Sequence, residues 1–162
     1  MKSIVLVRHG KSSWEFDVSD RQRPLKQRGI NDAQLVANEF IKSNKIPKHI
    51  FSSPANRALS TCKIFAKIFS LSENSISIED SLYDFGGENV LHFIKALPNT
   101  YDDIMIFGHN YAFTSIANIF GDKFIENVPT SGLIKLKFDI ANWQDLKQGT
   151  TELIIIPKEL KQ

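Results

Sequence analysis

Two hydrophobic rhythms alternate along the chain. Residues 4–7 form a continuous apolar run rich in β-branched side chains, the pattern of a strand buried on both faces. Ile30, Ala33, Leu35, Val36, Ala37, Phe40 and Ile41 then recur at helical spacing, which predicts a helix over 29–43. His49-Ile50-Phe51 is a minimal strand. Ser52-Ser53-Pro54 reads as a helix start, serine at the N-cap and proline at the first helical position. Ala58, Ile64, Phe65, Ile68 and Phe69 continue that helix. The pattern further predicts a strand over 75–79, a helix over 88–97, a second buried strand over 104–107 and a helix over 112–120. Residues 133–139 and 152–156 read as strands with no helix between them. This alternation predicts one α/β domain over 1–162, helices on both faces of a mostly parallel sheet, with the last strands added antiparallel.

The residues that follow the strands carry the chemistry. The first strand runs into Arg8-His9-Gly10, the second into Ser52-Ser53-Pro54-Ala55-Asn56-Arg57, and the 104–107 strand into Gly108-His109-Asn110. Open α/β sheets bind ligands beyond the carboxyl ends of their strands. If these three strands are neighbours, two arginines and two histidines converge on one cationic pocket. Guanidinium forks match phosphoryl oxygens in pairs, so the expected ligand is a phosphoryl group. His9 is the candidate nucleophile, attacking phosphorus as neutral imidazole to form a phosphohistidine enzyme intermediate that water then opens. Arg8 and Arg57 are expected to hold the equatorial oxygens, with His109 assisting as a donor. The positive end of the helix after Ser53-Pro54 is expected to add to the pocket. The backbone near Gly10, together with Ser12, is expected to orient His9, fix its tautomer and contribute to phosphate binding.

Composition narrows the choice of partner. Twenty basic and 18 acidic residues leave a net charge of +2, which gives no broad basic field for nucleic acid or a membrane surface. No apolar run approaches the ~20 residues that span a bilayer, and no signal peptide is evident, so a cytoplasmic, reducing setting is expected. The single cysteine, Cys62, lies within a periodic helix and reads as a buried small residue. A metal on His9 and His109 is disfavoured, because adjacent arginines repel a cation and no further ligand accompanies them. His49 and His92 have no motif around them. Arg21, Arg23 and Arg28 suit either a rim for an acidic substrate or solvated ion pairs, and Trp14 and Phe16 either packing or the pocket mouth.

Leu6-Val7-Arg8-His9-Gly10, the segment 52–58 with Thr61, and Gly108-His109-Asn110 resemble the three motifs of the histidine phosphatase, or phosphoglycerate-mutase-like, superfamily. Residues 8–14, 20–25, Arg28-Gly29, 128–132 and the tail with Trp143, Gly149 and Ile156-Pro157-Lys158 resemble its short bacterial phosphohistidine phosphatase branch. The resemblance runs through the whole chain in order. It implies a three-layer α/β/α sandwich, no metal and no cofactor, and a phosphate pocket formed by Arg8, His9, Arg57 and His109.

Two positions depart from that pattern. Lys11 stands where many relatives carry an acidic residue. The proton donor that many relatives place between the second and third motifs has one candidate here, Asp84, in a Gly-rich segment that equally suits a turn. The substrate depends on this residue. An alkoxide leaves poorly without a proton, whereas a phosphohistidine ring is protonated near neutral pH and leaves readily. The expected substrate is therefore a phosphohistidine-bearing protein. A small phosphorylated metabolite, with Asp84 as general acid, is the alternative. A mutase is disfavoured, because the longer insertions such enzymes use to enclose substrate are not found in this sequence, and a non-catalytic phospho-binding module does not need the full set of four groups.

Overall fold

A computed structural model describes residues 1–161. Its six strands are β1 (Lys2–Arg8), β2 (His49–Ser52), β3 (Ile76–Ile78), β4 (Asp103–Gly108), β5 (Leu133–Phe138) and β6 (Thr150–Ile155). The helices are α1 (Gln27–Ser43), α2 (Asn56–Ile68), α3 (Glu88–Lys95), α4 (Ala112–Phe120) and α5 (Pro157–Leu160). The strands form one sheet in the order β3-β2-β4-β1-β5-β6. The first four are parallel, while β5 pairs antiparallel with β1 and β6 antiparallel with β5. This is the mixed α/β architecture that the sequence predicts.

Strand periodicity divides the core into two layers. Ile4 and Leu6 of β1, with Ile104 and Ile106 of β4, face Val90, Ile94, Phe113 and Ile116 of α3 and α4. Val5, Val7, Met105 and Phe107 face Ala33, Val36, Phe40, Cys62 and Phe65 of α1 and α2. Both central strands are thus buried on both sides, which explains their unbroken apolar runs. Truncating one such side chain to alanine costs about 2–5 kcal/mol. Burial also pushes the Cys62 thiol up, so it remains an inert apolar filler.

The second helix differs from the expectation. It begins at Asn56, and Ala55, whose methyl group cannot accept a hydrogen bond, stands at its N-cap. Ser53 does not cap it. Its hydroxyl accepts the Ala55 N–H at 3.2 Å in a local turn and also meets His109, so the hydroxyl is spent before the helix starts. The short α5 and four 3-10 turns were not predicted, being too brief for a hydrophobic period.

Register levels the functional strand ends. Arg8 pairs with Gly108 across β1 and β4, and Ser52 pairs with Phe107 across β2 and β4. The three motif-bearing loops therefore leave one edge of three adjacent strands. Among the described residues, no helix is long and apolar enough to cross a membrane, and no group of three or more His, Cys, Asp or Glu is arranged to hold a metal ion.

Candidate active site

Close backbone packing fixes the loop after β1. The His9 N–H donates to the Gly108 carbonyl at 3.0 Å, and the Ser131 N–H reaches the carbonyls of Arg8 and His9, both at 3.1 Å. Ser131 holds this position at φ 61°, a left-handed conformation uncommon for serine. At Gly10 a Cβ would meet the Gly29 carbonyl oxygen at 2.9 Å, so only glycine lets the first turn of α1 lie against the loop.

Each of the four converging side chains is tied to the protein, three of them through one nitrogen and Arg57 through two. His9 Nδ1 lies 2.7 Å from the Gly10 carbonyl oxygen; a carbonyl can only accept, so Nδ1 carries the proton and Nε2 keeps the lone pair. The Gly10 N–H in turn donates to Thr61 Oγ1 at 2.9 Å, and that hydroxyl donates to the Arg57 carbonyl at 2.8 Å. His109 Nε2 lies 2.8 Å from Ser53 Oγ. Donation by Ser53 Oγ to Nε2 is the arrangement that puts the His109 ring proton on Nδ1, the atom left without a partner. Arg8 Nη1 donates to the Val128 carbonyl at 2.8 Å. Arg57 Nη1 and Nη2 donate to the carbonyl and carboxylate of Asp20 at 2.7 and 3.0 Å.

On Arg8, Arg57 and His109 a further nitrogen is left over. Arg8 Nε, Arg57 Nε and His109 Nδ1 are buried donors with no partner, and the buried Ser131 Oγ joins them. Buried donors without acceptors are uncommon in folded proteins, and three on one cationic cluster fit an oxyanion. The rings of His9 and His109 lie 5.4 Å apart, so the cluster is of the size a tetrahedral anion bridges.

The electrostatics keep both imidazoles neutral. Burial above all brings His9 down to about 4, helped by the charges of Arg57, Arg8 and Arg23 and opposed by the Gly10 carbonyl. Burial also brings His109 to about 3, with further lowering from His9 and Arg57. Arg8 too is lowered, by burial and by Arg57. A neutral imidazole with a lone pair on Nε2 can attack phosphorus, and a neutral imidazole with a proton on Nδ1 can donate to an oxyanion.

Two further candidates make other contacts. Ser12 does not orient His9; its buried hydroxyl accepts from Arg23 Nη1 at 2.6 Å, and the Gly10 carbonyl takes the orienting role. Asp84 is a capping group. Its carboxylate accepts from the backbone N–H groups of Gly86, Gly87, Asn89 and Val90 at 3.0–3.2 Å, closing the amino end of α3. A carboxylate acting as acceptor to four N–H groups holds the turn that opens α3.

Around the cluster lie Asp20, Tyr83 and Phe85, which had no role assigned from sequence, and Arg23, read there as a rim or an ion-pair residue. Asp20 binds Arg57 and accepts from the Tyr83 hydroxyl and from Arg23 Nε. Burial raises its pKa, but the hydrogen bonds from Tyr83 and Arg57 and the Arg57 charge outweigh that and hold it at about 2. Tyr83 and Phe85 pack on His109 with ring centroids 5.2 and 5.1 Å away. Arg23 is buried beneath the exposed Trp14, 3.6 Å from its ring, whereas Arg21 and Arg28 are exposed and paired with Asp80 and Asp32. An Asp-x-x-Arg spacing in a strandless segment was the available signal for Asp20 and Arg23, but it is common in turns.

The likenesses to known proteins agree with this arrangement. The sequence model of the histidine phosphatase superfamily (branch 1) matches residues 4–87, just over half of the chain. An uncharacterized chloroplastic protein of Arabidopsis thaliana is 29% identical over 127 residues, 73% of this chain but 58% of that protein. An uncharacterized protein of Mycobacterium tuberculosis is 23% identical across 91% of this chain and 96% of its own length. The structure of the protein histidine phosphatase SixA complexed with tungstate shares the fold, with a TM-score of 0.82 and 21% identity over 98% of this chain and 99% of that one. On the matched span, which contains Arg8, His9 and Arg57, the chain belongs to the histidine phosphatase superfamily, branch 1, and is a phosphatase.

Proposed function

We propose that this phosphatase hydrolyses phosphohistidine on a protein through a covalent intermediate at His9. The observation that carries the reading is the pairing of a ready nucleophile with the lack of an obvious proton donor. His9 presents the Nε2 lone pair because the Gly10 carbonyl holds the proton on Nδ1. The candidate acid Asp84 is occupied at the end of α3, and Asp20 is an acceptor held near a pKa of about 2.

In the first step the Nε2–P bond forms as the bond from phosphorus to the substrate's ring nitrogen breaks. That nitrogen takes the electron pair, and the ring leaves as neutral imidazole because its other nitrogen already carries a proton. In the second step water forms an O–P bond while the Nε2–P bond breaks, and the water proton passes to solvent. Arg8, Arg57 and His109 stabilise the charge spread over the equatorial oxygens in both steps, and their fixed placement is the main source of acceleration. The fold likeness to a protein histidine phosphatase bound to the tetrahedral oxyanion tungstate supports a protein-borne substrate.

The test compares a phosphohistidine peptide with alkyl and aryl phosphates, using wild type and His9→Ala. The reading expects kcat/KM on the peptide to exceed that on the alkyl ester by more than a hundredfold, and a trapped phosphoenzyme that is acid-labile. Equal turnover of alkyl phosphates, or retained activity in His9→Ala, would overturn it.

A further inference from the structure

The phosphoryl cradle is buried: His9 is 8% exposed, Arg57 2% and His109 0%. Whatever is attached to a phosphoryl group held there must project toward the half-open residues over it. Those residues are Asp20, whose side chain is 46% exposed, Phe85, 49% exposed, and Tyr83 between them. Tyr83 donates to Asp20 and lies 5.6 Å from Phe85, ring to ring, so the three form one continuous wall.

We propose that Asp20 is a specificity-determining residue that selects neutral or cationic leaving groups and rejects anionic ones. The proposal rests on the cradle being the phosphoryl site, and does not depend on whether the substrate is a protein or a small molecule. Oδ2 of Asp20 takes Arg57 and Tyr83, and Oδ1 takes Arg23, yet nearly half of the side chain remains open to an incoming group. Its partner Tyr83 packs on His109 with ring centroids 5.2 Å apart and its partner Arg57 belongs to the cradle, which sets the carboxylate beside the pocket. Beside it, the Tyr83 and Phe85 rings offer faces to a planar group, and aromatic faces also attract cations. A ring that bears an N–H, or carries a positive charge, is attracted by both features. A second carboxylate or phosphate on the substrate meets the Asp20 charge at short range in a partly desolvated setting. The arginine-rich floor and the mouth with its one half-open carboxylate thus separate two tasks: the floor binds the phosphoryl group, and the mouth reads what it is attached to.

The test uses three para-substituted phenyl phosphates that differ in charge: methyl, carboxylate and aminomethyl. Comparing ratios between variants cancels the intrinsic reactivity of each. The measured quantity is the ratio of kcat/KM for the cationic to the anionic substrate, with Ki values of the matching non-hydrolysable phosphonates read in parallel so that slow turnover does not matter. Asp20→Asn keeps an acceptor for Arg57 and Tyr83 but removes the charge; it should compress the ratio about tenfold. Asp20→Glu should restore most of it, and raising salt should shrink the ratio in wild type but not in Asp20→Asn. If Asp20→Asn slows all three substrates by one common factor and leaves the Ki ratio unchanged, Asp20 only braces Arg57 and the proposal fails. Phosphoimidazole forms a separate arm: failure of the wild type to hydrolyse it would sink the phosphohistidine reading, while the charge ratio would still decide the role of Asp20.

Discussion

The floor and the mouth of the pocket are built by different means. On the floor, Arg8, His9 and His109 leave the ends of β1 and β4, and Arg57 sits in the first turn of α2, so the register of three parallel strands sets their separation. At the mouth, Asp20, Tyr83 and Phe85 stand on strandless segments and reach one another only through side chains. The contrast teaches where rigidity is placed. The groups proposed to meet a phosphoryl transition state are placed by strand register, whereas those proposed to meet a variable substrate are placed by contacts that one substitution can change.

The largest test of this contrast is on the floor. Arg57→Lys keeps the charge but loses the fork, so it cannot hold Asp20 with two nitrogens and still offer Nε to the pocket. Loss of one preoriented donor to a developing oxyanion costs about 10²–10³ in kcat. KM should change much less if the donor acts chiefly on the transition state. A kcat within about threefold of wild type would break the view that the floor is preorganised.

The floor was also the part that sequence made legible. Arg8-His9, Arg57 and Gly108-His109 each follow a strand whose apolar run is unmistakable, and adjacency of those strands brings them together. Partners that hold these groups were harder to read. The Gly10 and Val128 carbonyls belong to the backbone and carry no residue signature, and Ser53 looked like a helix cap because Ser-Pro at a strand end is the usual sign of one. Asp20 lies 37 residues from Arg57 and Tyr83 a further 26 on, separations that no local pattern encodes. Asp84 was ambiguous for a physical reason: an acid before Gly-Gly suits a turn and a pocket alike, and only its four backbone donors separate the two.

The next effect is on acid stability, and it also belongs to the floor. An unperturbed histidine has a pKa near 6.5, while His9 and His109 are held at about 4 and about 3. Between those values and 6.5 the unfolded chain binds protons that the folded chain does not, so stability falls as pH drops below about 6.5 and the loss levels off below about 3. Asp20 acts in a lower window: its depressed pKa contributes stability above about 3.8 that disappears as pH falls through about 2. From pH 7 to pH 5 the two histidines together should remove a few kcal/mol, roughly, at about 1.4 kcal/mol per pH unit for each. Denaturant midpoints across that range measure the loss, and NMR titration of the two rings assigns it. Rings that titrate near 6.5, or flat stability from pH 7 to 4.5, would show that the floor does not exclude charge.

The smallest effect concerns Asp84, which stands between the mouth residues Tyr83 and Phe85 but turns its carboxylate to the start of α3. Asp84→Ala strips the acceptor from the first N–H groups of α3, a change that costs about 1 kcal/mol by analogy with other helix caps. The loss should appear in equilibrium unfolding with the denaturant slope unchanged, since the folded surface is the same. It should not appear in the chemistry. A general acid shows itself by a variant whose rate falls more steeply as the leaving group becomes more basic, so a set of aryl phosphates of graded phenol pKa supplies the second readout. Parallel lines for wild type and Asp84→Asn, with Asp84→Ala losing stability alone, leave this carboxylate to the helix. A steeper line for Asp84→Asn would make it the proton donor, and phosphoesters would then become natural substrates of a floor that the histidine reading now reserves for phosphoramidates.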